Sequence, residues 1–193
     1  MCANDHRDDT ADAIQYMLEL DSELINTEGI GGWLPIHCAA TNGGTKSIEI
    51  LLKFDPYATS KGVNDGCLPL HVACCNNKNL SSIQVLYDEY PEAILARDEE
   101  GETPVDIARE EGNQQAIDFL QTQLVYARQA QDMTAMTTPD VDGWLPLHRA
   151  LNGNVSLGSI KLLVRGNPAA VQVSDQNGAY PVHIACEFSS TKV

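Results

Sequence analysis

Residues Gly32-Trp33-Leu34-Pro35-Ile36-His37-Cys38-Ala39 decide the reading, because the chain writes the same phrase four more times. The copies are Gly66-Cys67-Leu68-Pro69-Leu70-His71-Val72-Ala73, Gly101-Glu102-Thr103-Pro104-Val105-Asp106-Ile107-Ala108, Gly143-Trp144-Leu145-Pro146-Leu147-His148-Arg149-Ala150 and Gly178-Ala179-Tyr180-Pro181-Val182-His183-Ile184-Ala185. Their glycines step by 34, 35, 42 and 35 residues, a period that marks a repeat architecture. Within each copy proline stands where the first residue of a helix belongs: its missing N–H costs nothing there and its φ is already helical. The residues before it, such as Asn64-Asp65-Gly66 and Gln176-Asn177-Gly178, carry turn chemistry in which glycine permits a positive φ.

A second phrase follows each of the first four glycines, with its isoleucine 16 or 17 residues on, at Ile48, Ile83, Ile117 and Ile160. Apolar residues recur at i, i+3 and i+4 in Ile48/Leu51/Leu52, Ile83/Leu86/Tyr87 and Ile160/Leu163/Val164, which is one face of a helix. Eight residues after three of these isoleucines comes Pro56, Pro91 or Pro168, which stops the helix, and ten residues later the next glycine. Each unit is therefore a helix, a short turn, a second helix and a turned loop.

The phrase and its period resemble ankyrin repeats, whose Thr-Pro-Leu-His element opens the inner helix of each unit. The likeness covers nearly the whole chain and implies an all-α fold, an α-solenoid of stacked helix-turn-helix repeats with hairpin fingers. Leu34, Leu68, Leu145 and Tyr180 stand in place of the family's threonine, and Asp106 in place of its histidine. Apolar packing is expected to replace the usual Thr-to-His hydrogen bonding at those four positions.

The expected organisation is a disordered acidic tail over residues 1–9, a half-repeat cap over 10–28 and a repeat array over 29–193, with repeats starting near 29, 63, 98, 140 and 175. The cap is an outer helix alone, because Ala13-Ile14-Gln15-Tyr16-Met17-Leu18 matches the second phrase without its partner. The isoleucine due after Gly178 would fall one residue past Val193, so the array stops mid-repeat, and a fragment, a truncated gene model or capping of the open face by a partner is expected. The third repeat spans 42 residues because its second helix runs on through Gln121–Ala130 without a stopping proline, into a flexible-looking stretch over Asp132–Pro139.

The chain has 193 residues, 43% hydrophobic and 20% charged, which excludes a wholly disordered polymer. Its formal charge is -15, from 27 Asp plus Glu against 12 Lys plus Arg, so it offers no basic stripe to nucleic acid or to an anionic membrane surface. No apolar run is long enough to span a bilayer, and the residues after Met1 are polar. Six cysteines at no framework spacing read as reduced, buried thiols, and the expected location is intracellular, cytoplasmic or nuclear.

His37, His71, His148 and His183 invite a metal or catalytic reading, with Cys74 and Cys186 each three residues after a histidine. All four occupy the recurring helix start, far apart along an array, so structural histidines are expected and neither a metal nor a cofactor is. Gly43-Gly44-Thr45-Lys46 lacks the spacing and preceding strand of a phosphate loop. Nothing outside the repeats supplies a nucleophile, base and oxyanion site, so no enzymatic activity is expected.

Binding to another protein remains. The family resemblance places the contact on the finger tips and the concave face, where Trp33, Asp65, Glu99, Glu100, Glu102, Asp142 and Trp144 fall. The two tryptophans share one repeat position and suit interface anchors, while the carboxylates suit a partner with a basic surface. The alternative is a regulatory or targeting module of a longer polypeptide whose catalytic or membrane domain lies beyond residue 193.

Overall fold

A computed structural model describes residues 6–76, 79–153 and 155–189. Among these the chain forms eleven α-helices and five short 3-10 turns, with no strand. It divides into two compact units, residues 1–118 and 119–193.

In the first unit α1 (His6–Leu20) precedes two complete helix pairs, α2 (Pro35–Asn42) with α3 (Thr45–Phe54) and α4 (Pro69–Asn76) with α5 (Leu80–Glu89), and then α6 (Pro104–Glu110). Inner helices stack on inner ones, α2 on α4 and α4 on α6, and outer on outer, α1 on α3 and α3 on α5. The helical stripes read from sequence are what this stacking buries: Ile48, Leu51, Ile83, Leu86 and Tyr87 are each 0–1% exposed, and burying each aliphatic side chain contributes about 1.5–3 kcal/mol. Of the expected 1–9 tail, residues 1–5 lie outside the described residues, and helix begins at His6.

α7 (Gln114–Gln131) carries the division between the units, and the second unit continues with α8 (Met133–Thr137), α9 (Pro146–Asn152), α10 (Leu157–Gly166) and α11 (Pro181–Ser189). Its core joins Met136, Leu145, Leu147, Ala150, Leu163 and Ala170. The stretch read as flexible holds a helix instead. Asp132 caps α8 by accepting from the backbone N–H of Thr134 and Ala135, and Met136 is 1% exposed. Gln123, also buried, accepts from the Ser156 N–H at 3.2 Å and the Ser159 hydroxyl at 2.9 Å, tying α7 to the start of α10.

Pro56, Pro91 and Pro168 do end the outer helices, and each also opens a 3-10 turn, at Pro56–Ser60, Pro91–Leu95 and Pro168–Gln172. A pre-set φ and a missing N–H suit the first residue of that turn as they suit the first residue of a helix.

The Thr-to-His expectation needs correction. Leu34 and Leu145 are buried at 6% and 4%, but Tyr180 is exposed, and the histidines bond regardless of the residue before the proline. The backbone N–H of Leu34, Leu68, Leu145 and Tyr180 donates to Nδ1 of His37, His71, His148 and His183 at 3.0–3.2 Å. Because Nδ1 accepts, the proton of the neutral ring sits on Nε2. Nε2 then donates to a connector carbonyl 24 or 25 residues on: Lys61 at 3.0 Å, Ala96 at 3.2 Å and Val173 at 3.1 Å, for His37, His71 and His148. Each ring thus staples the start of its inner helix to the loop that closes its own repeat. Asp106 replaces the ring with a charged cap, its Oδ2 accepting from the Thr103 hydroxyl at 2.6 Å and the Thr103 N–H at 3.2 Å.

Candidate functional site: the finger tips

Each finger closes on itself by one backbone bond from its first residue to the carbonyl four residues on: Gly29 to Trp33, Val63 to Cys67, Asp98 to Glu102, Asp140 to Trp144 and Asp175 to Ala179, at 2.8–3.1 Å. The glycine within each turn holds φ between 74 and 82°. In the first unit neighbouring fingers are joined by single bonds, Asn64 N–H to Gly31 C=O at 3.2 Å and Glu99 N–H to Asp65 C=O at 3.0 Å. That strip brings Trp33, Asp65, Glu99, Glu100 and Glu102 onto one rim. Asp142 and Trp144 belong to the second unit.

An aspartate opens three of the fingers and recurs three residues before Gly101, Gly143 and Gly178. One carboxylate oxygen pins its own turn: Asp98 accepts from Glu102 N–H at 2.8 Å, Asp140 from Asp142 and Trp144, and Asp175 from Asn177 and Ala179. The other oxygen receives the side chain of the finger before, the Cys67 thiol at 3.8 Å on Asp98 and the Trp144 indole N–H at 3.1 Å on Asp175. These bonds hold the carboxyls of Asp140 and Asp175 below the usual range, the Trp144 and Ala179 N–H groups contributing most.

The two tryptophans differ for this reason. Trp144 is half-buried, bonded to Asp175, and covered by the Arg149 guanidinium 4.7 Å from its ring centre. Arg149 also pairs with Asp140 at 2.6 Å and with Asp142, so Asp142 is a neutralised tip. At the equivalent place opposite Trp33 the next finger opens with Val63, which offers no acceptor side chain. Both tryptophans lie near the histidine of their own helix start, Trp33 by His37 and Trp144 by His148, with ring centres 6.1 and 6.4 Å apart.

The acids of the third finger are of another kind. Glu99 and Glu100 are exposed, and among the described residues neither has a cation within salt-bridge reach. Desolvation, then the charges of Glu110, Asp98 and Asp106, push the Glu102 carboxyl up. Desolvation and Asp65 push the Cys67 thiol to about 12, so it is protonated at neutral pH.

Among the described residues five cysteines are free. The expectation of buried thiols fails for Cys38, Cys75 and Cys186, which are exposed on inner helices; Cys74 alone is fully buried. Among the described residues no group of three or more His, Cys, Asp or Glu side chains is placed to hold a metal, and no helix is long and apolar enough to cross a membrane.

Residues 60–108 match the family model described as "Ankyrin repeats (many copies)". An ankyrin repeat protein of Rickettsia bellii is 31% identical over 105 residues, 52% of this chain and 43% of that protein. The tyrosine-protein kinase Shark of Drosophila melanogaster is 29% identical over 110 residues, 56% of this chain. The human transient receptor potential cation channel subfamily A member 1 is 29% identical over 132 residues, 68% of this chain. The chain spans less than half the length of the first of these relatives and 11% of each of the others. Residues 60–108 thus carry ankyrin repeats, and the repeated phrase and the helix pairs on either side of them follow the same pattern.

Proposed function

We propose that this chain is a non-catalytic scaffold that binds a protein with a basic surface through the finger rim and inner-helix face of its first unit, protein–protein interaction being what ankyrin repeats generally mediate. The observation that carries the proposal is the distribution of charge: residues 1–118 hold 22 acidic and 7 basic side chains, and residues 119–193 hold five of each. The whole formal charge of -15 therefore belongs to the unit whose rim carries Asp65, Glu99, Glu100 and Glu102. Such a field steers a cationic partner and repels nucleic acid. Trp33, which lacks the finger-to-finger hydrogen bond that Trp144 makes to Asp175, is the anchor of this rim, while Trp144 and Asp142 serve the architecture of the second unit. The location that fits is cytoplasmic or nuclear.

The test is titration calorimetry of the full chain with a basic peptide of alternating Arg and Gly, at two salt concentrations. Wild type binds, more weakly at high salt, and Glu99→Lys with Glu100→Lys weakens binding by about tenfold or more, since two attractive charges become repulsive. Equal binding by wild type and the double variant rejects the rim as the site.

A second reading, a regulatory or targeting module of a longer polypeptide, is favoured by the two relatives of which this chain matches 11%, one a kinase and one a channel. Intact mass of the endogenous protein tests it: a value well above 21.0 kDa supports the module and a value at 21.0 kDa rejects it.

A further inference from the structure

The chain contains two Thr-Pro pairs, Thr103-Pro104 and Thr138-Pro139, and the fold treats them oppositely. Thr103 is half-buried and its hydroxyl is bonded to Asp106 Oδ2 at 2.6 Å. Pro104 is buried as the first residue of α6, so this pair is built into a helix start. Thr138 lies just past α8 with extended backbone, φ -93 and ψ 115, and both it and Pro139 are exposed. Its neighbour Thr137 bonds its hydroxyl back to Met133 C=O at 2.9 Å, whereas the Thr138 hydroxyl has no hydrogen bond among the described residues. Thr138 also lines a groove of about 360 Å³ with Tyr126, Trp144 and Arg149, and Arg149 is the one cation among the residues lining it.

We propose that Thr138 is a phosphorylation site for a proline-directed protein kinase, and that its phosphate competes with Asp140 and Asp142 for Arg149. The Thr138 Oγ attacks the γ-phosphorus of ATP; an O–P bond forms as the bond to the β–γ bridging oxygen breaks, ADP leaves, and the hydroxyl proton passes to the kinase's base. A phosphothreonine brings nearly two negative charges and three strong acceptor oxygens into reach of a guanidinium. The ion pairs it competes with are surface pairs, with Arg149 44% exposed, and such pairs are weak. Arg149 drawn toward the phosphate uncovers the face of Trp144.

The experiment incubates the full chain with a proline-directed kinase and ATP, follows it by intact mass and peptide mapping, and normalises each rate to that of a short synthetic peptide spanning the same Thr-Pro. The first phosphate goes to Thr138, about tenfold or more faster than to Thr103 after normalisation, because Thr103 must first be released by local opening. Thr138→Ala abolishes that phosphate. In a Trp33→Phe background, phosphorylation changes the emission of Trp144, and Arg149→Gln removes that change without slowing the kinase. Phosphate on Thr103 first, or an unmodified Thr138 in the folded chain, overturns the site. An emission change that persists in Arg149→Gln overturns the role of Arg149.

Discussion

A single imidazole does two jobs in three of the repeats, accepting from its own helix start and donating to a connector carbonyl. Only the neutral ring can do both. Burial pushes the pKa of His37 and His71 below the ordinary 6.5. Above that value the rings are neutral in folded and unfolded chains alike; as pH falls through it, the unfolded chain takes up protons that the folded rings refuse, so stability declines. Denaturant midpoints are expected to fall between about pH 7.5 and 5.5 for this reason. His71→Gln, whose amide keeps one acceptor and one donor, loses about 1 kcal/mol at neutral pH and shows a shallower decline. At the same scale, Asp175→Ala removes the acceptor of the Trp144 indole and of two finger N–H groups. The variant is expected to lower the melting temperature and shift Trp144 emission, whereas Asp142→Ala, which removes one exposed partner of Arg149, changes neither by a measurable amount.

The helices themselves were legible because their signals are local. Proline marks every inner helix start from Pro35 to Pro181, and the isoleucine stripes mark α3, α5 and α10. The staples were not legible, since the acceptor of Nε2 is a backbone carbonyl that leaves no trace in residue type. The helix α8 was missed because its threonines suggest a loop, and its cap and its buried Met136 show only once α10 packs beside it. At the finger tips the position of each acidic residue could be read, but the pairing of Asp142 with Arg149 depends on how a finger folds back on α9. Elements also meet where only glycine fits. A Cβ on Gly166, at the end of α10, would lie 2.9 Å from the Ala130 carbonyl oxygen and 3.2 Å from Met136 Cε. Gly166→Ala is expected to cost about 1–3 kcal/mol through overpacking, measured by chemical denaturation, even though alanine favours helix over glycine.

Across the molecule, charge is divided unevenly, and the acidic first unit repels itself. Raising salt from low to physiological strength should therefore raise the melting temperature, as screening relieves like charges on a surface more than it weakens the few exposed ion pairs. Calorimetry in a salt series checks this; a melting temperature that falls with salt contradicts it. The stapled histidines carry a consequence for spectroscopy. Their Nε2 protons are held on carbonyl oxygens in rings that are 0% exposed, so they exchange slowly with water and resonate far downfield, in a window of the proton spectrum that backbone amides leave empty. Two of the three report on the first unit and one on the second. Watching which of these signals fades first on heating gives the order in which the repeats come apart, with no label attached to the chain.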